Sequence, residues 1–278
     1  MSDPKINIQN VSRTFGARGG KKSGGFTALS DVNLTVPDGE FLCIVGPSGC
    51  GKSTLLRMLG GLDRPTEGKI TLRHADGGRV LDAMIFQQES VFPWMTVADN
   101  AAYGLRTAGQ WKGAESQEVV DHFLQITGLS KFRDFYPSQL SGGMKQRLAI
   151  ARAFATAPEV LLMDEPFAAL DEQNKHLLQS ELARLWEEHR STVVFITHGL
   201  EEAVFLGDRV AVMSSAPGRI VEDIAIPFER PRDLAALKRD PEFTRITDRL
   251  WTALRDEVIA ARDQETARLA RQKGAANG

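Results

Sequence analysis

The run GPSGCGKS at residues 46–53 has a spacing that can hold a chain of phosphates. It fits G-x-x-x-x-G-K-[ST], follows the apolar stretch FLCIVG and leads into the helix-patterned KSTLLRML. That context separates a phosphate-binding loop from a chance match. Gly46, Gly49 and Gly51 let backbone N–H groups turn toward an anion that a side chain would block. Lys52 supplies a charge for the β- and γ-phosphates of a nucleotide, and the Ser53 hydroxyl can ligate magnesium. A helix start adds partial positive charge. A Gly-rich turn with no ligand is the plainer alternative, disfavoured by pattern and context together.

Carboxylates follow at the end of a second apolar run, VLLMDEP. Asp164 stands where it could hold magnesium opposite Ser53, and Glu165 where it could polarise a water for in-line attack on the γ-phosphate. Pro166 stops the strand and predicts an extended Glu165. A capping role is the competing explanation for an Asp at such a position. His198 closes a third apolar run, VVFITH. Ligands of parallel sheets gather at the carboxyl ends of strands, so Gly46, Asp164 and His198 are expected to face one site. There an imidazole could contact the γ-phosphate and hold the attacking water. Gln87, after yet another apolar run, can touch metal and water without adding charge, the alternative being a solvated glutamine. Phe15 offers adenine a face to stack on, or is a core phenylalanine. Ser141, Gly142 and Gly143 open another helix-patterned run, a second anion-ready helix start in a chain whose nucleotide has one phosphate tail. Ser141 can also simply cap its own helix.

The elements that must position these groups are readable in outline. KINIQNVSRTF and TALSDVNLTV alternate apolar and polar residues, as half-buried strands do. FLCIVG, EVLLMDEP and STVVFITH are continuously apolar, the mark of strands covered on both faces. GKITLRHADGGRVL predicts a hairpin around Asp76 and Gly77. Residues 96–135 turn helical, and NKHLLQSELARLWEEHR is a helix between two strands, an order that implies a parallel sheet. DRVAVMSSAPGRIVEDIAI predicts a final strand pair. Asp240 and Pro241 open a C-terminal helix with Phe243, Ile246, Leu250, Leu254 and Val258 on one stripe, expected to pack on its own domain. Residues 271–278 are expected to be a loose tail. Residues 16–25 form a flexible basic loop whose Lys21 and Lys22 are better read as solvated than as phosphate contacts. The fold class is α/β: a parallel-sheet core with an N-terminal antiparallel β subdomain and a helical subdomain.

Composition limits the rest. The 278 residues carry a net charge of −2, which gives no basis for a nucleic-acid partner held by bulk electrostatics. Cys43 and Cys50 are too few for a metal cage and badly placed for a disulfide, so two reduced thiols in a cytosolic protein are expected. No run approaches the roughly 20 apolar residues of a membrane span, so a soluble chain that serves a membrane only through partners is expected.

LSGGMKQRLAIARA resembles the signature sequence of ATP-binding cassette (ABC) ATPases, and the other motifs appear in that family's order over about residues 5–230. The resemblance implies that Phe15 stacks on adenine. Gly46, Pro47, Ser48, Gly49, Cys50, Gly51, Lys52, Ser53 and Thr54 match the Walker A loop, and Gln87 the Q-loop glutamine. Ser141, Gly142 and Gly143 match the signature, Asp164 and Glu165 the Walker B pair, Ala169 to Asp171 the D-loop, and His198 the switch histidine. Ser53, Gln87 and Asp164 would then serve magnesium, with ATP as the nucleotide. In this family two cassettes pack head to tail, each signature capping the γ-phosphate held by the other.

Narrower stretches, FPWMTVADN, YPSQLSGGMKQR, DEPFAALDE and SSAPGRIVEDIAIPFERPRD, resemble the nitrate/sulfonate/taurine importer branch. That implies a homodimeric ATPase at the cytoplasmic face of the inner membrane, working with two transmembrane permease subunits and a periplasmic or extracellular solute-binding protein. Residues 89–100 lie where the family docks a permease helix, and Phe92 and Trp94 would be its apolar anchors unless they are core residues. Gly199 departs from the aspartate that commonly follows the histidine. The expected domains are an ATPase domain over residues 1–235, with its helical subdomain at about 96–157, and a C-terminal helix and tail over 236–278. A soluble ABC ATPase of DNA repair or translation would carry long insertions or basic surfaces, and a phosphate-loop kinase would leave Ser141 to Gly143 unexplained.

Overall fold

The computed structural model describes residues 4–16, 25–74, 80–87, 90–168 and 170–276, with side chains to residue 259. The basic-loop lysines Lys21 and Lys22, the Asp76 and Gly77 turn, Glu89 and Ala169 lie outside the described residues. The chain runs through β1 (Ile6–Phe15), β2 (Phe26–Val36), β3 (Phe41–Val45), α1 (Lys52–Leu59), β4 (Glu67–Leu72) and β5 (Asp82–Ile85). Three helices follow, α2 (Val97–Thr107), α3 (Ala114–Ile126) and α4 (Gly142–Ala155). Then come β6 (Val160–Asp164), α5 (Glu172–His189), β7 (Thr192–Ile196), α6 (Leu200–Leu206), β8 (Arg209–Met213) and β9 (Ile220–Ala225). A short α7 (Leu234–Leu237) and a long α8 (Pro241–Ala276) finish the chain.

Two sheets result. β2, β1 and β4 form an antiparallel sheet in that order, and β5, β6, β7, β3, β8 and β9 a larger one. All neighbours in the larger sheet are parallel except the edge pair β8 and β9. Side chains alternate across a strand, and each central strand feeds two cores. Phe41, Cys43, Val45, Leu161, Met163, Val193 and Phe195 pack with the helices on one side. Leu42, Ile44, Val160, Leu162, Val194 and Ile196 pack on the other with α1 and the antiparallel sheet. This two-sided burial is the physical reason the central strands read as unbroken apolar runs. Cys43 and Cys50 are both buried free thiols.

Two expectations are corrected. The predicted hairpin over residues 68–81 is not found among the described residues: β4 pairs with β1, whereas β5 lies in the other sheet beside β6. A turn signal reports a local reversal, but the partners of the flanking strands are chosen by which apolar face each must cover. The segment expected as a tail is instead helical to Ala276. Alanine, arginine, glutamine and lysine all favour helix, and Gly274 alone does not end it. At the other end of α8 the Asp240 carboxylate accepts from the Glu242 N–H at 2.8 Å. Phe243, Ile246 and Leu250 are buried and Leu254 packs against them, while Val258 at the far end of the stripe is exposed.

Candidate active site

The loop after β3 ends at α1, whose first residue is Lys52. Gly51, just before it, has φ 103°, a left-handed conformation that a side chain would strain, and a Cβ there would lie 2.6 Å from Leu29 and 2.9 Å from the Ala28 carbonyl. Lys52 is buried; its Nζ donates to the carbonyls of Gly46 at 2.7 Å and Pro47 at 3.0 Å. The same ammonium lies 3.8 Å from the Cys50 sulfur. Burial pushes the Cys50 thiol up, and Lys52 acts against that shift.

Ser48, Gly49, Gly51, Lys52, Ser53 and Thr54 line a cleft of about 370 Å³. Gln87, Glu165 and His198 line it too, as do Phe15, Phe26 and Ala28. The carboxyl ends of β5, β6, β7 and β3 lead directly into Gln87, Glu165, His198 and the phosphate loop, so the parallel register brings them together.

Asp164 closes β6 and is 6% exposed. Burial raises its carboxyl, opposed by a hydrogen bond from Ser53 and by the charge of Lys52. Its Oδ1 has no hydrogen-bond partner among the described residues. Glu165 is held at both carboxylate oxygens: His198 Nε2 lies 2.7 Å from Oε1, and Gln87 Nε2 donates to Oε2 at 3.1 Å. The expectation that Pro166 leaves Glu165 extended is overturned, because Glu165 has φ 47°. Its backbone N–H donates to the Ile196 carbonyl at 3.0 Å. These tertiary bonds outweigh the local preference before proline, and a non-glycine residue kept in the left-handed region marks a strained position.

The loop carrying His198 is itself anchored. The Thr197 hydroxyl bonds to the buried Glu202 carboxylate on α6 and accepts from the Gly199 N–H at 2.9 Å. Glu202 also receives Gln179 Nε2 at 2.5 Å and lies 3.4 Å from Lys175, both on α5. Gly199 starts α6 with no side-chain cap, and a Cβ there would approach Glu202 Cβ to 3.2 Å. No local pattern in the sequence marks Thr197, Gln179 or Glu202, since their connection spans two helices and a strand end.

Other expected residues lie elsewhere. Ser141, Gly142, Gly143 and Asp171 are not among the described residues lining the cleft. Ser141 is exposed and caps α4, its Oγ accepting from the Met144 N–H at 3.3 Å. Asp171 caps α5 by accepting from the Asn174 N–H at 3.0 Å, and its Asn174 hydrogen bonds hold the carboxyl below its usual range. Phe92 and Trp94 are not core residues: Phe92 is half-buried and Trp94 is 69% exposed. Phe92 packs on Tyr103 with ring centroids 4.4 Å apart, beneath the Arg152 guanidinium at 5.1 Å. It lines a second cleft of about 460 Å³ with Met84, Tyr103 and Arg152. Pro47 and Cys50 belong to the loop without lining the first cleft.

The chain is similar to known proteins. The family model described as ABC transporter matches residues 29–168. An uncharacterized ABC transporter ATP-binding protein of Methanocaldococcus jannaschii is 45% identical over 257 residues, 92% of this chain and 93% of that protein. A nitrate import ATP-binding protein of Synechococcus elongatus is 45% identical over 87% of this chain and 88% of its own length. A bicarbonate transport ATP-binding protein of the same organism is 42% identical over 87% of each. Among solved structures, a dimeric ATP-binding cassette in a post-hydrolysis state bound to ADP and phosphate aligns with a TM-score of 0.70. It is 32% identical, over 81% of this chain and 100% of that one.

Proposed function

The chain belongs to the ABC transporter family as one of its ATPases, and on that premise we propose that it powers import of a small anionic solute of the nitrate, bicarbonate, sulfonate or taurine type. Relatives of 42–45% identity named for nitrate and bicarbonate import support that solute class. The observation that carries the chemistry is the Glu165 carboxylate, gripped by His198 and Gln87 at the mouth of the phosphate-loop cleft.

In this reading Phe15 receives the adenine and residues 46–54 wrap the phosphates, with Lys52 turning from its loop carbonyls to the β- and γ-oxygens. Glu165 accepts a proton from water as the water oxygen bonds to the γ-phosphorus. The bond from that phosphorus to the β,γ-bridging oxygen breaks, leaving ADP and inorganic phosphate. His198 and Gln87 hold the carboxylate and the water in line. Asp164 and Ser53 fit a magnesium ion: a buried carboxylate oxygen without a partner beside a hydroxyl is the hard-oxygen donor set that ion takes, and Gln87 adds an amide oxygen. When bound, the ion supplies charge neutralisation for the phosphates.

Ser141, Gly142, Gly143 and Asp171 act on the nucleotide of a second, identical copy packed head to tail. The dimeric state of the related cassette supports this pairing. The ATPase domain spans residues 1–235, with a helical subdomain at about 96–157, and residues 236–278 are a C-terminal appendage. Phe92 and Trp94 anchor one of two transmembrane permease subunits, close in sequence to Gln87, and a solute-binding protein completes the system. The chain then sits at the cytoplasmic face of the inner membrane, held by those subunits; among the described residues no helix is long and apolar enough to cross a membrane.

Replacing Glu165 with Gln tests the chemistry. Turnover should fall by roughly 100- to 10,000-fold, the range for removing a general base, while ATP binding persists and ATP now traps a dimer on size-exclusion chromatography. Full turnover in Glu165→Gln overturns the assignment.

A further inference from the structure

The cleft has an aromatic end that the phosphate chemistry does not use. β1 and β2 pair antiparallel with Phe15 directly opposite Phe26, and directly opposed residues put their side chains on the same face of a sheet. Both line the cleft, with Ala28 beside them. Phe15 is 38% exposed and Phe26 58%. The Arg13 guanidinium lies over the Phe15 ring, 4.6 Å from its centroid, and is held by Asp63 at 2.7 Å. One face of the Phe15 ring is thus taken by Arg13, and the ring still lines the cleft. Burying a phenylalanine is favourable, yet Phe26 leaves most of its ring uncovered at the rim of this cleft.

We propose that Phe26, the first residue of β2, is a second aromatic contact for the nucleotide's base, acting with Phe15. The proposal rests on the nucleotide-site reading above and adds a base-binding residue to it. The side chains at this end, Phe15, Phe26 and Ala28, neither donate nor accept hydrogen bonds. The pair therefore selects for a planar aromatic ring, and adenine and guanine are held through the same π-faces.

The test is equilibrium binding of ATP, GTP and inorganic tripolyphosphate to the full chain by calorimetry. It compares wild type with Phe26→Ala, Phe26→Tyr and Phe15→Ala. Loss of one base–aromatic contact is expected to weaken ATP and GTP alike by roughly tenfold in Phe26→Ala. Tripolyphosphate affinity should stay within about twofold, and Phe26→Tyr should restore ATP binding, since both readouts follow from stacking alone. Unchanged ATP affinity in Phe26→Ala overturns the proposal, as does an equal loss of tripolyphosphate affinity, which marks a merely structural residue. The two readings fail separately: an insensitive Phe26 beside a sensitive Phe15 sinks only this inference, whereas an insensitive Phe15 sinks the base site itself.

Discussion

The phosphate-loop cleft and the start of α4 both present backbone N–H groups at a helix beginning, yet they are built in opposite ways. At the cleft, four strand ends converge and supply Gln87, Glu165, His198 and the loop; Glu165 is tied to His198 and Gln87, and Lys52 to the loop backbone. At α4, Ser141 stands exposed with its hydroxyl and its carbonyl both bonded to its own helix, and neither it nor the two glycines after it line the cleft. The first region is pre-organised by a sheet. The second is a helix start set apart from that cleft. Such a difference is what a shared site requires, because each copy must keep one half fixed and offer the other half outward.

Substitutions at the two regions should separate along that line. Lys52→Ala removes the buried ammonium, and ATP affinity of the isolated chain is expected to fall on the order of 100-fold, the scale of lost hydrogen bonds to a charged group. Ser141→Ala should leave that affinity within about twofold while lowering turnover roughly tenfold and helix stability by about 1 kcal/mol through the lost cap. Calorimetry and a phosphate-release assay check both variants. If Ser141→Ala weakens binding to the isolated chain as Lys52→Ala does, the contrast between the regions fails.

A smaller effect sharpens the account of the cleft itself. Burial raises the Asp164 carboxyl, so the folded state favours its neutral form and is penalised once the group ionises. Stability from this group is complete at low pH and is lost as pH rises through the raised value. Without nucleotide, Asp164→Asn should therefore melt a few degrees higher than wild type at neutral pH. That gain should shrink as pH falls and Asp164 itself is protonated, although turnover is lost throughout. Thermal melts across pH check this, and a neutral or negative shift at pH 7 contradicts it.

What was legible in the sequence was local. The phosphate loop, the carboxylate pair and His198 each follow an apolar run, and strand burial on both faces writes itself as such a run. Where a feature depends on distant partners, reading along the chain failed. Residues 68–81 looked like a hairpin, but β4 and β5 answer to different sheets. Glu165 looked extended, but Ile196, His198 and Gln87 hold it in the left-handed region. The register that sets Phe26 opposite Phe15 likewise has no local mark in the sequence. The Thr197, Glu202 and Gln179 anchor under His198 has the same origin: three unremarkable residues brought together only by packing.

The shared site is tested most directly by mixing two crippled chains. Lys52→Ala destroys the phosphate half and Ser141→Arg the outward half, so each variant alone is expected to hydrolyse ATP at background rate. In a mixed dimer, the intact loop of one chain meets the intact Ser141 of the other, and phosphate release should reappear on mixing in proportion to mixed dimer formed. If the mixture stays as inactive as its components while mixed dimers are demonstrably present, the two halves do not complete one another across copies.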